Sequence, residues 1–541
     1  MTSKAYVALD LGAESGRAML GVLRDGQVTL TELHRFANVP VRLPTGAHWN
    51  LLELWHNVLA GVRKAAEHCR ENGLELVSVG VDTWGVDYGL LTRSGELLGV
   101  PYCYRDGRNG PAMRAVLERL GGGRLYEATG IQFMSFNTLF QLFATQTACP
   151  ELLDRADRLA FLPDLLHYFL TGVVVNESTI ASTSQMVNPR GERGAGVPPA
   201  RAGSVPPARN GEDGLASSSD QLHGAHNAGE TPAPRECGDV AVAGSAATGV
   251  WAKDLLAELG LPTAMLGEIV PPGRRIGTIL PALAAELGLE RPVWVTVPAC
   301  HDTASAVSAV PATGGDGWSY LSSGTWSLMG VELPRPLITD DAREANFTNE
   351  RAADGAIRFL RNGAGLWLIQ QLRASLAARG ESYDYAQLTQ LAAVAKPFTL
   401  RLDPEYEPFA SAGRMLEKMA EFATATGQVL PQSPGELVRS CLEGLAASYT
   451  KTLADMRRLT GRRIDVIHIV GGGSRNELLN QMTADATGCA VIAGPTEATA
   501  AGNVLIQALG DGELATPQDL RTVVSRSFDP KVYEPRAIAF P

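Results

Sequence analysis

"ALDLGAESGRAML", residues 8–20, sets a turn of small residues and a single Arg between two apolar runs. Such a turn suits phosphate binding, yet it lacks the Gly-Lys-Ser/Thr ending of a P-loop. "AYVALDL" before it and "RAMLGVL" after it both read as strands, the second ending at the Asp25-Gly26 hairpin signal. The turn therefore joins strand to strand. P-loops and Rossmann loops instead open a helix whose N-terminus holds phosphate, which disfavours a Rossmann oxidoreductase.

Outward from this turn the chain alternates strands and helices in the α/β manner. Leu51 to Asn72 has helical spacing, and "LELVSVGVDTWGVDYGLLTRSGELL" reads as two strands around a Thr-Trp-Gly turn. The second half repeats the grammar: "WSYLSSGTWSLMGVEL" (318–333) is again strand, small polar turn, strand, a weak internal duplication. "IDVIHIV" then reads as a strand, "GGGSRN" as a flexible turn and "ELLNQMTADATG" as a helix stopped by Gly488. Residues 190–248 break the pattern, rich in Gly, Pro, Ala and Ser with a near-duplicated "GVPPARAG"/"SVPPARNG", and read as a solvated surface insertion. His223, His226 and Cys237 inside it are poor ligand candidates.

The chain has 541 residues, 45% hydrophobic and 19% charged, enough for two or three domains with sizeable cores. A net charge of −11 argues against a dedicated nucleic-acid binder, which needs clustered Lys and Arg. No apolar run reaches transmembrane length and "MTSKAYVALDLG" enters a strand directly, so the expectation is a cytoplasmic protein without a membrane partner. Seven scattered Cys without a Cys-x-x-Cys pair read as reduced thiols, with neither zinc nor a disulfide framework. Oligomeric state is not legible.

In "VPACHDTASAV" (297–307) an apolar strand delivers His301, Asp302 and Thr303 to the start of a small-residue helix. Two readings of Asp302 stand side by side: a helix N-cap, or a general base accepting the proton of a hydroxyl that attacks a γ-phosphate. Cys300 as a nucleophile is disfavoured, because neighbours on an extended segment point to opposite faces.

"DLGAESGR", "VDTWGVDYGLL", "YRDGRNGP", "GIQFMSFNTLFQL", "FLPDLLHYFLTG", "HDTASAV", "YLSSGTWSLMG", "NGAGLWLIQQ" and "VGGGSRNELLNQMTADATG" stand in the order of landmarks in the FGGY carbohydrate kinases. The chain resembles that family from about residue 5 to about 510, and within it the branch acting on L-rhamnulose. The resemblance implies two related α/β domains of the actin-like (ribonuclease H-like) ATPase fold, 1–311 and 312–541, with the active site in the cleft between them. It implies ATP with Mg²⁺ and phosphorylation of the 1-hydroxyl of L-rhamnulose in L-rhamnose catabolism. L-fuculose or a pentulose is the alternative acceptor, and a non-catalytic nucleotide-binding regulator the alternative class. By position it assigns Asp302 as the base, and Ala13, Glu14, Ser15, Gly16, Arg17, Thr325, Gln370 and Gly473 to ATP. Gly85, His301, Asp302, Thr303 and Asn362 fall to the sugar, and Asp10 to the metal, through water. Simpler readings remain beside these: Arg17 pairing with a carboxylate, Gly85 serving its turn, Asn362 capping a helix, and Trp84 and Trp326 packing. Glu14 within a phosphate loop and Cys300 before His-Asp depart from the expected pattern.

Overall fold

The computed structural model describes residues 3–191, 248–312 and 314–536. Residues 192–247, most of the low-complexity stretch with His223, His226 and Cys237, lie outside the described residues.

β1 (Lys4–Leu11) and β2 (Ser15–Arg24) flank the opening turn as an antiparallel pair, and β3 (Gln27–Ala37) follows the Asp25-Gly26 turn. From Ala5 onward β1 is wholly buried, as an apolar run covered on both faces must be. α1 (Leu51–Glu71) packs Leu51, Leu54, Val58, Val62 and Ala65 inward at helical spacing, and the Asn50 side chain accepts from the Glu53 N–H to cap it. β4 (Glu75–Thr83) lies parallel to β1, and β5 (Arg275–Thr278) and β6 (Trp294–Thr296) complete a six-stranded sheet ordered β5-β6-β4-β1-β2-β3.

Both strands read around the Thr-Trp-Gly turn are present, over Glu75–Thr83 and Tyr88–Leu91. The segment after the Thr-Trp-Gly turn does not stay beside β4; Tyr88–Leu91 pairs instead with Arg158–Phe161. The chain leaves the sheet after Thr83 and turns at Val86, whose φ of 71° is costly for a β-branched residue. Thr183 Oγ1 accepts from its N–H at 3.2 Å and Thr138 Oγ1 donates to its carbonyl at 2.6 Å, fixing that turn.

The second sheet comprises β7 (Trp318–Ser323), β8 (Trp326–Leu333), β9 (Thr348–Arg351), β10 (Ile357–Ala364), β11 (Val466–Val470), β12 (Ala490–Ala493) and β13 (Lys531–Tyr533), ordered β9-β10-β8-β7-β11-β12-β13. Sense for sense it repeats the first: β7 and β8 correspond to β1 and β2, β10 to β3, β11 to β4, and β12 and β13 to β6 and β5, with β9 added at the edge. The duplication legible around two short turns thus extends to whole sheets.

Five further helices matter to the site: α2 (Asp302–Ser308), α3 (Trp367–Ala377), α4 (Pro434–Thr460), α5 (Glu477–Thr487) and α6 (Ala498–Gly510). α6 belongs by sequence to the second half but seats on the first sheet. Its Gln507 amide donates to Val7 O at 2.9 Å and accepts from Ser78 Oγ at 2.6 Å, while Asn503 donates to Gly80 O at 3.2 Å. Gly502 lies so close to the Ser305 carbonyl of α2 that a Cβ would not fit. Tyr6, Ala8 and Met19, Ala304 and Val307, and Ala501, Val504 and Leu505 form a core spanning both halves. Among the described residues no helix is long and apolar enough to cross a membrane.

The low-complexity stretch enters and leaves at a closed gate. Asn188 pairs with Val250 and Val187 with Trp251 in a two-stranded ladder, so the flanks stand about 5 Å apart. Deleting residues 192–247 and joining Gly191 to Thr248 is expected to preserve the melting temperature and the catalytic rate. Thermal unfolding and turnover of the deletion variant check this, and loss of either assigns the stretch a role.

Candidate active site

Between the sheets lies a cleft of about 260 Å³. Gly12 and Ala13 of the first turn, Ser322 to Thr325 of the second, and Gly471 and Gly472 after β11 supply one set of walls, all small residues. Gly12 N–H closes the first turn on Ser15 O at 2.9 Å, and Asn38 braces it through Gly12 O and Glu14 O. Gly16 backs onto the Phe36 ring, leaving no room for a Cβ. In the second turn Leu366 N–H and Trp367 N–H bond to Gly324 O and Thr325 O, tying it to the start of α3. The expected flexible turn 471–476 is in fact a short 3-10 helix over Gly472–Arg475.

A second set of walls mixes aromatic and polar groups: Trp84, Tyr104, Phe136 and Trp326 beside Gln132, Thr183, Glu350 and Asn362. Trp84 and Trp326, read from sequence as packing residues, therefore face the cleft. The order of the aromatic wall comes from one fully buried carboxylate. Asp87 accepts from Trp49 Nε1 and Trp84 Nε1, from Tyr104 N–H at 3.2 Å, and from Gln141 Nε2 at 2.8 Å. Burial pushes its pKa up to about 6 against the pull of these donors. Asn362 lies in β10, not at a helix cap; its N–H and side-chain amide both donate to Gln132 Oε1, at 2.9 and 3.1 Å.

His301, Asp302 and Thr303 open into the same cleft. The His301 N–H donates to Thr179 Oγ1 at 3.2 Å, and a parallel bridge joins His301 to Thr83 at the end of β4. The N-cap of α2 falls on His301, so Asp302 is the first helical residue. One of its oxygens accepts from the Thr303 N–H and, at 3.1 Å, from the Thr303 hydroxyl. The carboxylate keeps 31% of its surface open to the cleft, yet protein surrounds it widely enough that burial lifts its pKa above the ordinary range, with His301 opposing and Asp10 adding to the rise. Cys300, by contrast, is sealed in the core, where burial holds its thiol protonated.

Of the residues singled out from sequence, Ala13, Gly85, His301, Asp302, Thr303, Thr325 and Asn362 line the cleft. Asp10, Glu14, Ser15, Gly16, Arg17, Gln370 and Gly473 do not. Arg17 is gripped by Asp10 on one side and Glu497 on the other, the pairing its simpler reading anticipated. Glu14 is exposed to solvent. Gly473 is buried against Ser323, and Gln370 sits half-buried in α3 with its carbonyl oxygen unbonded. Asp82, which sequence reading passed over, lies beside Asp10 in the ladder and is fully buried. One of its oxygens accepts from Asn503 and the other has no hydrogen-bond partner.

Buried Asp164, His167 and Cys300 approach one another closely enough to suggest a metal trio. Val81 N–H donates to His167 Nε2 at 2.9 Å, which places the ring proton on Nδ1 and leaves neither nitrogen free for a metal.

The N-terminal domain model of the FGGY family of carbohydrate kinases matches residues 5–191, and the C-terminal domain model residues 319–510. A rhamnulokinase of Bacteroides thetaiotaomicron is 37% identical over 534 residues, covering 99% of this chain and 96% of that protein. Another, of Enterococcus faecalis, is 36% identical over 538 residues, covering 99% and 95%. Among solved structures, a ligand-bound xylulose kinase from Lactobacillus acidophilus superposes with a TM-score of 0.72 at 14% identity, covering 98% of this chain and 94% of its own. Plasmodium falciparum glycerol kinase with ADP gives 0.70 at 12%, covering 99% and 94%. At such identities these structures speak for the fold alone. The duplicated sheets, the cleft between them and near-full-length relatives agree: the chain belongs to the FGGY family of carbohydrate kinases.

Proposed function

We propose that this kinase transfers the γ-phosphoryl group of ATP to the 1-hydroxyl of L-rhamnulose, with residues 1–311 carrying the sugar side and 312–541 the nucleotide side. The observation that carries the reading is Asp302, whose carboxylate opens between the small-residue turns and the aromatic and polar wall. As the sugar oxygen bonds to the γ-phosphorus, its proton passes to Asp302 and the bond to ADP breaks. His301, Thr303, Gly85 and Asn362 would orient the sugar, with Trp84 and Tyr104 offering it an apolar face. The two turns and Gly471–Gly472 would admit the phosphates closely, because no Cβ intervenes along much of their backbone.

Mg²⁺ suits the position beside Asp10, since the unpartnered oxygen of buried Asp82 stands next to it and would gain from a cation. Bound there it would neutralise phosphate charge. Arg17, held by Asp10 and Glu497, would keep Asp10 in place and not touch phosphate itself.

An ADP-release assay with Mg-ATP and L-rhamnulose, beside L-fuculose, L-ribulose, D-xylulose and glycerol, tests the reading. Selective turnover of L-rhamnulose supports it, whereas preference for another acceptor rejects the substrate and silence with all rejects catalysis. Gly473→Ala would set its Cβ on the Ser323 side chain and 2.8 Å from the Ser323 carbonyl. It is expected to raise the KM for ATP by about tenfold and leave that for the sugar unchanged.

A further inference from the structure

The backbone that delivers Asp302 to the cleft is held from "NESTIAS" (176–182), a stretch outside the landmark motifs. Glu177 and Thr179 there are fully buried. Glu177 Oε1 accepts from the Thr179 N–H at 2.7 Å and the Ser178 hydroxyl at 3.0 Å. Its Oε2 is bonded to the Thr179 hydroxyl at 2.5 Å and accepts from the Ile180 N–H at 3.1 Å and the Cys300 N–H at 3.0 Å. The next amide along, the His301 N–H, donates to Thr179 Oγ1 at 3.2 Å. A backbone N–H can only donate, so the Thr179 oxygen accepts from His301 whichever way its bond to Glu177 runs.

On the other side, Cys300 O accepts from the Thr83 N–H at 2.9 Å. His301 caps α2 without a side-chain bond of its own, so the backbone before Asp302 is held from outside the helix. It is clamped between the end of β4 and the short helix Ser178–Ser182, whose N-cap is Glu177. The same short helix reaches two other parts of the site. Thr183, its C-cap, fixes the Val86 turn beside Gly85, and Ser182 Oγ accepts from the Arg351 N–H of β9 in the second half at 2.9 Å.

We propose that Thr179, oriented by Glu177, is a positioning residue that holds Asp302 where the proton of the acceptor hydroxyl can pass to it. Without the Thr179 hydroxyl, the His301 N–H is left unpaired in a buried site, and the peptide turns to find another acceptor and carries Asp302 with it. The consequence for the rate rests on the kinase reading above, whereas the clamp itself does not.

The test is a double-mutant cycle on the full chain. Thr179→Val, which keeps the shape and removes the hydroxyl, is expected to lower kcat with Mg-ATP and L-rhamnulose by about thirtyfold and leave the KM for ATP unchanged, and Thr179→Ser to recover most of the rate. In the Asp302→Asn background Thr179→Val is expected to have no further effect on kcat, because no base is left to misplace. A wild-type rate in Thr179→Val overturns the proposal, as does an equal slowing in both backgrounds, which is what a purely structural role produces. Amide hydrogen exchange at Cys300 and His301 is expected to quicken by about tenfold or more in Thr179→Val, and unchanged exchange also overturns the proposal. If Thr179→Val does not fold, Glu177→Gln, which sets an amide donor among the same N–H groups, takes its place with the same expectations. A wild type active only on another acceptor rejects the substrate reading, and the cycle is run with that acceptor. A wild type silent with all acceptors rejects the kinase reading, and the exchange rates alone then decide the clamp.

Discussion

Replacing Asp302 by Asn is expected to lower kcat by about a thousandfold and to leave ATP affinity close to that of the wild type, because a proton acceptor is lost from a site that otherwise keeps its shape. The amide oxygen can still accept from the Thr303 N–H and hydroxyl, so the first turn of α2 stays in place. What disappears is the capacity to take the hydroxyl proton as the new P–O bond forms. Steady-state turnover together with calorimetric ATP binding separates the two effects, and near-normal turnover would remove Asp302 from the role of base. The wild type carries a related signature. The base works only when ionised, and burial raises its pKa, so the acid limb of kcat/KM is expected above the range of an ordinary carboxylate and should vanish in the Asn variant.

Asp87→Ala is expected to cost about 3 kcal/mol of stability and to raise the KM for the sugar about tenfold. The change strands Trp49 Nε1, Trp84 Nε1, Tyr104 N–H and Gln141 Nε2 in a buried site, and releases Trp84 and Tyr104, two of the aromatic residues that face the cleft. Its pH dependence has a definite sign. With a folded pKa near 6, above that of an unfolded Asp at about 3.9, the native state holds this proton more tightly than the unfolded chain. The stabilisation from the group is complete below the lower value and fades as pH rises through the higher one. The gap between wild type and Asp87→Ala should therefore be widest in acid and narrow above pH 6. Melting curves across that window measure it, and a gap that widens upward would contradict the assignment.

Those parts of the fold written in local pattern were legible from sequence: strand-turn-strand at both turns, the helix over 51–71, and the placement of His301, Asp302 and Thr303 at a strand-to-helix passage. What escaped was written in pairing between distant segments. "TNER" (348–351) has the polarity of an exposed edge, yet all four residues are buried, because Glu350 finds Arg358 only once β9 and β10 align. Asp82 and Asp87 carry no local sign that one meets Asn503 from α6 and the other gathers four donors. Trp84 and Trp326 do pack, Trp84 within one core and Trp326 against the core that spans both halves, and they also line the cleft; that second role has no sequence signature of its own, since an aromatic beside a half-apolar cleft looks like one in a core. Arg17 sits in a loop whose pattern suggested a phosphate partner, and in the structure its guanidinium pairs with the carboxylates of Asp10 and Glu497, as its simpler reading had it.

The seating of α6 on the first sheet has a consequence for synthesis on the ribosome. Asp511, just past that helix, meets Lys4, Tyr6 and Arg275, so the inner face of β1 and β2 is closed by residues made long after those strands. Tyr6, Ala8 and Met19 are made well before Ala501, Val504 and Leu505, with which they form one core. Until α6 is made, that sheet face lacks the helix that covers it in the folded protein, and an uncovered apolar face is the kind of surface chaperones shield. A fragment ending near residue 311 would keep that face permanently uncovered, and truncation should yield aggregation in place of a smaller, independently stable domain.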